Sequence, residues 1–123
     1  MYILNAISLN MIPSAEGYQI HVSPPLSLEE VKALLQKEDG YAASGFANRG
    51  VRSGVGHADT AAVFASQLGR PVVAARINVN LLANEACGGA LVGQYIGPRL
   101  PEGAIALPEG ARIEWRHVTI TSE

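Results

Sequence analysis

The stretch YQIHVSPPLSLEEVKALLQKE, Tyr18 to Glu38, passes from a strand pattern into a helix pattern. Its first part, up to Ser23, alternates apolar and polar residues, which is typical of a strand with one exposed face. In its second part, Ser27 and Glu30 have the S-x-x-E spacing of a helix capping box. The apolar residues after the cap recur at helical spacing and form one stripe: Leu28, Val31, Leu34 and Leu35. A strand followed by an amphipathic helix predicts a domain that contains both kinds of element.

Strand patterns also lie on both sides of this stretch. Residues Tyr2–Ser8, YILNAIS, form an apolar run that predicts a central strand buried on both faces. The apolar runs Arg70–Leu82 and Gly88–Gly97 predict two paired strands, and Ala111–Thr121 alternates as a half-exposed strand does. With the strand that begins at Tyr18, the sheet would have about five strands.

A second helix is expected after the glycine-rich segment Asp39–Gly56, which itself predicts an irregular connection. Gly69 is the expected stop of that helix, and its apolar face would consist of Ala61, Phe64, Ala65 and Leu68. Turn residues fill Ile12–Gly17, and two P-E-G sequences predict turns in Leu100–Gly110. We therefore expect an α+β fold: a single mixed β-sheet of about five strands with two main helices packed on it, in one domain over residues 1–123.

The composition restricts the partners. The chain has 123 residues, is 48% hydrophobic and carries a formal net charge of −2. A packed core is therefore expected, whereas binding of long nucleic acid through phosphate neutralisation needs a basic face. A sequence-specific DNA-binding regulator is disfavoured for the same reason. A small phosphate ligand remains possible, because a few arginines and backbone amides are enough to hold it.

Cysteine content and hydropathy indicate the compartment. Cys87 is the only cysteine, so no intramolecular disulfide can form, and a free structural thiol in a loop is expected. No apolar run reaches the roughly 18–20 residues of a membrane span, and the first residues lack the basic region of a signal peptide. These features predict a soluble, cytoplasmic protein with no membrane partner.

The segment SGVGHADTAAVFASQLG, Ser53 to Gly69, places His57 at the expected start of the second helix. Helix N-termini present free N–H groups and partial positive charge, and therefore hold phosphate well. Gly54 and Gly56 allow close backbone approach, and a histidine can transfer a proton near neutral pH. The alternative is an ordinary solvated histidine beside a helix cap.

Other chemistries have weaker signals. His57 and Asp59 form a His-x-Asp pair, but His21 and His117 fall on separate strands without the spacing of metal ligands. No G-x-S-x-G elbow, Walker A loop or dinucleotide fingerprint is present.

Four polar residues within or beside apolar strands have two interpretations each. Arg76 and Arg99 could grip a phosphate bidentately or form salt bridges on a strand face. Asn5 and Gln94 could contact a ligand or satisfy buried backbone groups.

Four short segments, in this order along the chain, resemble one known family. They are LNAISLNM at Leu4–Met11, GHADT at Gly56–Thr60, RINV at Arg76–Val79, and Gln94 followed by RLPEG at Arg99–Gly103. Together they resemble the viral ring-nuclease anti-CRISPR family, the B116-like proteins of archaeal viruses, phages and bacteria. The resemblance covers most of the chain. It implies a homodimer that binds cyclic tetraadenylate, the second messenger of type III CRISPR defence, and cleaves it without a metal or other cofactor.

The resemblance also implies roles for individual residues. His57 matches the catalytic histidine, Glu102 the acidic residue that assists it, and Arg99 an arginine that contacts the ligand or the transition state. The remaining matches are ligand-binding positions around the ring: Asn5, Ser8, Asn10, Thr60, Arg76 and Gln94. In the implied reaction, a ribose 2′-hydroxyl attacks the adjacent phosphate and leaves a 2′,3′-cyclic phosphate, while a general acid protonates the departing 5′-oxygen.

The sequence departs from the family pattern at three places. Asp59 stands where the viral members have a small hydroxyl residue, and a carboxylate near a phosphate repels it unless it faces away or raises the pKa of the histidine. The spacing from Gln94 to Arg99 is one residue longer, and the glycine-rich segment before His57 is also longer. These departures keep a second expectation open: a protein that binds and sequesters a cyclic nucleotide without cutting it.

Overall fold

One sheet and two helices form the framework of the described chain. The computed structural model describes residues 1–12, 18–47, 49–81 and 88–122. In chain order the elements are β1 (Tyr2–Leu4), a 3-10 helix (Leu9–Met11), β2 (Tyr18–Val22), α1 (Leu28–Ala43), β3 (Arg52–Ser53), α2 (Ala58–Leu68), β4 (Ala90–Ile96) and β5 (Arg112–Ser122).

The five described strands form one mixed sheet in the order β2-β5-β4-β1-β3. Strand β1 is parallel to both neighbours, with Tyr2 opposite Arg52 on one side and Ala90 on the other. Strand β5 is antiparallel to β4 and β2. The expected fold class is therefore confirmed: the protein is α+β, with a single mixed sheet of five strands and two helices.

Helix α1 begins at the expected capping box. The Ser27 hydroxyl accepts a hydrogen bond from the Glu30 amide at 3.1 Å, and the Glu30 carboxylate accepts one from the Ser27 amide at 3.0 Å. The helix continues to Ala43, beyond the expected end at Glu38. Its last turns carry Tyr41, whose ring centroid lies 4.4 Å from the Arg49 guanidinium carbon. This tertiary contact stabilises a part of the helix where apolar residues do not recur at helical spacing.

Each face of the sheet has its own apolar cluster. On one face the two helices pack on β1, β4 and β5, and the largest buried side chains there are Ile3, Leu35, Phe64, Leu91 and Trp115. On the other face the sheet packs against residues 79–81 and contributes Tyr2, Leu4, Ala90 and Ile120. Strand β1 is buried on both faces, as expected, but it ends at Leu4, so the second half of the run predicted as strand, up to Ser8, lies outside the sheet.

Two expectations about the middle of the chain are wrong. The run expected to be a strand from Arg70 forms no sheet ladder over its described residues 71–81, although Ala75 donates to the Val55 carbonyl at 2.8 Å. The glycine-rich segment Asp39–Gly56, expected to be irregular, instead contains the end of α1 and all of β3. In the 71–81 run Val72 and Val79 are buried and the residues between them are largely exposed, so the apolar pattern reflects half-burial and not strand pairing.

A buried carboxylate anchors the carboxyl-terminal part of α1. Glu38 is 1% exposed, and it accepts hydrogen bonds from Arg49 Nε at 2.7 Å and from the Gly50 amide at 3.1 Å. The Met1 nitrogen lies 3.6 Å from the same carboxylate. Burial alone would raise the pKa of Glu38, but these hydrogen bonds and positive charges outweigh burial and hold the pKa below its usual range.

Some sequence predictions concern parts of the chain outside this description. The loop position expected for Cys87 and most of the turn Ile12–Gly17 lie outside the described residues and stay predictions. Within the residues that are described, no helix is both long and apolar enough to cross a membrane.

Candidate functional site

The carboxyl ends of three parallel strands meet at one edge of the sheet. Asn5 follows β1, Gly54 follows β3 and Gly97 follows β4. The Gly54 amide donates to the Ile3 carbonyl at 2.9 Å, which ties the chain after β3 to the end of β1. In open α/β sheets, ligands bind in the crevice outside these strand ends. The segments that carry most of the candidate residues therefore start from this edge.

The first turn of α2 projects from this edge. His57 is the N-cap residue, with an extended backbone (φ −118°, ψ 130°), and its side chain makes no capping hydrogen bond. The imidazole is exposed, and Thr60 is half-buried in the first turn. Because the first N–H groups of a helix have no partner within the helix, this end presents donors and partial positive charge beside an accessible histidine.

Arg76 lies beside the residue that precedes His57. Its Nε donates to the Gly56 carbonyl oxygen at 3.4 Å, and its side chain is exposed. Among the described residues, Arg76 and Arg99 form no ion pair, so the salt-bridge alternative has no support there. The Arg76 guanidinium is therefore available to an anion at the start of α2.

The segment after β4 folds back onto α2 through a turn. The Ala104 amide donates to the Pro101 carbonyl at 3.1 Å, and Gly103 has a φ of +78°, so the first predicted P-E-G turn is confirmed. The Gly103 amide donates to Asp59 Oδ1 at 3.1 Å. This contact brings Glu102, the residue before Gly103, close to the first turn of α2. Both Glu102 and Arg99 are exposed.

The other candidate residues lie apart from this group. Gln94 points to the face of the sheet opposite the helices, because a side chain at the adjacent Gly93 would point at Phe64 of α2. Gln94 is exposed, so it does not satisfy a buried backbone group there. The Ser8 hydroxyl donates to the Asn10 side-chain oxygen, and both residues are exposed.

The structure thus brings together only part of the candidate set. His57, Thr60, Arg76 and Glu102 are on segments linked by direct hydrogen bonds at Gly56, Asp59 and Gly103. Asn5 is half-buried at the end of β1. Within the part of the chain that the structure describes, no hydrogen bond or ion pair joins Ser8, Asn10 or Gln94 to the start of α2.

Sequence reasoning missed one contact at this site. Asp59 was identified as a departure from the family pattern, but its hydrogen bond to Gly103 spans 44 residues of sequence. No local period or cap motif encodes such a contact. The P-E-G turn gives a weak signal, because the turn's own hydrogen bond uses the Ala104 amide and leaves the Gly103 amide free to donate outward.

A separate cavity lies at the opposite end of the sheet. It has a volume of about 160 Å³, and its lining includes Lys37, Glu38, Arg49 and His117. It belongs to the ion cluster around Glu38. Among the described residues, no group of three or more His, Cys, Asp or Glu side chains is placed to hold a metal ion.

A comparison with protein families identifies a family for this chain. The family model described as STIV B116-like matches residues 1–113, which include both helices and strands β1 to β4. No curated protein matches the chain. Because the match covers nearly the whole chain, this protein belongs to the STIV B116-like family.

Proposed function

We propose that this protein is a ring nuclease that cleaves cyclic tetraadenylate without a metal ion, and that it acts as an anti-CRISPR protein or as an off-switch for that signal. One observation carries the proposal. His57 is exposed at the N-terminus of α2, Arg76 contacts Gly56, the residue before it, and the turn that bears Glu102 is held against the same helix end. Membership in the STIV B116-like family supports the proposal, since the resemblance described above implies this activity.

Each residue has a task that suits its chemistry. The substrate supplies its own nucleophile, a ribose 2′-hydroxyl, which attacks the adjacent phosphorus as the bond to the 5′-oxygen breaks. His57 is the general acid that protonates the departing 5′-oxygen, and such a group contributes about 10²- to 10⁴-fold to the rate. Arg99 and Arg76 neutralise the charge that develops on the phosphorane. Glu102 orients His57 or holds Arg99 in place.

A homodimer fits this ligand. His57, Arg99 and Glu102 are all exposed on a single chain, so one chain offers an open surface and not an enclosed pocket. In a two-fold dimer, each chain would address one half of a symmetric ring. Asn5, Ser8, Asn10, Thr60 and Gln94 are then proposed contacts to the ring.

A second candidate function is sequestration of a cyclic nucleotide without cleavage. Asp59 keeps this candidate open, because it is a departure from the family pattern in the first turn of α2, two residues after the proposed acid His57.

Incubation with a panel of cyclic oligoadenylates in EDTA tests both functions. We expect linear products that end in 2′,3′-cyclic phosphate, resolved by chromatography, and a loss of rate of about 10²-fold or more in His57→Ala. The matched control is His21→Ala, because His21 lies on the edge strand β2 and contacts Thr121 at 2.8 Å. Tight binding with an intact ring at enzyme excess would favour sequestration. No binding of any cyclic nucleotide would contradict both functions.

A further inference from the structure

We propose that Asp59 is a positioning residue that fixes the turn bearing Glu102 against the start of α2; this inference rests on the proposed function. The observation is the hydrogen bond from the Gly103 amide to Asp59 Oδ1 at 3.1 Å. Asp59 is two residues after His57, and Gly103 directly follows Glu102. The bond therefore fixes the separation between the segments that carry the proposed acid and its carboxylate partner.

The turn has few other attachments. Within the described chain, the hydrogen bonds from Ala104 to Pro101 and from Ala111 to Pro108 are internal to their own turns. The Tyr95 hydroxyl donates to the Pro98 carbonyl, which lies at the start of the loop. Among the described residues, the middle of this exposed loop is therefore joined to α2 by the hydrogen bond to Asp59. Loss of that bond leaves Glu102 on a turn with no described hydrogen bond to the helix.

The same bond explains how a carboxylate is accommodated beside an anion site. One oxygen of Asp59 accepts from Gly103, so the side chain is held towards the turn. An asparagine in this position keeps an acceptor oxygen but carries no charge. If Asp59 acts by positioning, Asp59→Asn retains the turn, whereas Asp59→Ala releases it. If Asp59 acts through its charge, the two variants behave alike, because both lack the charge.

The experiment compares these two variants with the wild type on cyclic tetraadenylate. In Asp59→Ala we expect the single-turnover cleavage rate to fall by about 10- to 100-fold, with a smaller change in the dissociation constant, because misplacement of a catalytic group affects the transition state most. In Asp59→Asn the rate is expected to stay within about threefold of the wild type or to rise. The matched control is Asp39→Ala, because Asp39 pairs with Arg70 beyond the far end of α2.

A second measurement tests, in the absence of substrate, whether the turn is attached to α2. The NMR shift and solvent exchange of the Gly103 amide should be alike in the wild type and Asp59→Asn, with faster exchange in Asp59→Ala. Equal cleavage rates in Asp59→Ala and Asp59→Asn overturn the proposal, and so does a Gly103 amide that is unprotected in the wild type. If the wild type cleaves no ring while Gly103 is protected, the proposed function fails and the attachment of the turn stands.

Discussion

Gly93 shows how a single residue sets the distance between α2 and the sheet. A Cβ atom placed on it would lie 2.8 Å from atoms of both Phe64 and Trp115, whose ring centroids are 4.8 Å apart. The 2.8 Å distances are well below the normal van der Waals separation of two carbon atoms. A glycine costs some strand stability, but here it allows an aromatic pair to pack directly over β4.

Substitution of Gly93 by alanine should destabilise the protein by about 1–3 kcal/mol, because the added methyl group overpacks the core. The change in free energy of unfolding can be measured by urea denaturation. The matched control is Gly40→Ala in α1, where nothing lies within 4 Å of the added Cβ. This control should stabilise the protein by up to about 1 kcal/mol through helix propensity. Equal effects of the two substitutions would contradict the close packing at Gly93.

His57 and its surroundings at the residue scale were partly predictable. The glycine before it and the helix after it indicated an N-terminal anion site, and the structure places His57 as the N-cap. The neighbours that make the site specific, Arg76 and the Glu102 turn, come from segments distant in sequence. Their approach depends on the path of the run 71–81 after α2 and of the loop after β4, which local patterns do not encode.

At the scale of elements, the start of α1 depends on local sequence, whereas its end depends on contacts with residues outside the helix. Its start follows from the Ser27–Glu30 capping box alone. Its last turns depend on Glu38 and Tyr41, which contact Arg49 beyond the end of the helix. The buried ion pair therefore couples the carboxyl-terminal part of α1 to the chain that leads into β3.

The lowered pKa of Glu38 makes stability depend on pH. A carboxyl group whose pKa is lower in the folded state stabilises that state above its unfolded pKa, and this contribution disappears as the pH falls through the folded pKa. At pH 7 we expect Glu38→Gln to lose about 1.5–3 kcal/mol of unfolding free energy, the range for hydrogen bonds to charged groups. The difference from the wild type should stay constant from pH 7 down to the ordinary carboxyl pKa of 4.5, and should shrink as the pH falls below it.

Urea denaturation at several pH values checks this expectation. Glu29→Gln serves as the control, because Glu29 is an exposed carboxylate on the same helix. A Glu38→Gln deficit that is the same at neutral and acidic pH would show that the side chain acts through packing and not through its charge.

At the scale of the whole molecule, the sheet gathers the segments that carry the candidate site at the carboxyl ends of its parallel strands. Three parallel strands end there, whereas the antiparallel strands β2 and β5 extend the sheet away from it. The resulting site on one chain is open. A ring ligand with repeated phosphates would be enclosed better by two copies of this surface.

The proposed assembly predicts a stoichiometry. Light scattering should give the mass of two chains, and calorimetric titration with cyclic tetraadenylate should end at one ring per two chains. Titration of His57→Ala keeps the ring intact during the measurement, and linear tetra-adenylate is the control ligand. A monomer that binds one ring per chain would contradict the symmetric site.

The sequence by itself determined the local features of this protein. The cap of α1, the stop of α2 at Gly69, the turn at Pro101–Ala104 and the strand β5 all follow from short-range rules of dihedral preference, capping and hydrophobic period. These rules were sufficient to predict the α+β class. They also identified His57 at a helix start.

Only the tertiary structure decided which segments pair and which groups meet. It placed the two-residue strand Arg52–Ser53 in the sheet in place of the apolar run 71–81, because ladder hydrogen bonds depend on the partner strand as well as on hydrophobic period. It buried Glu38 against Arg49 and joined Asp59 to Gly103 across the fold. Each of these contacts forms only when distant parts of the chain are already packed together.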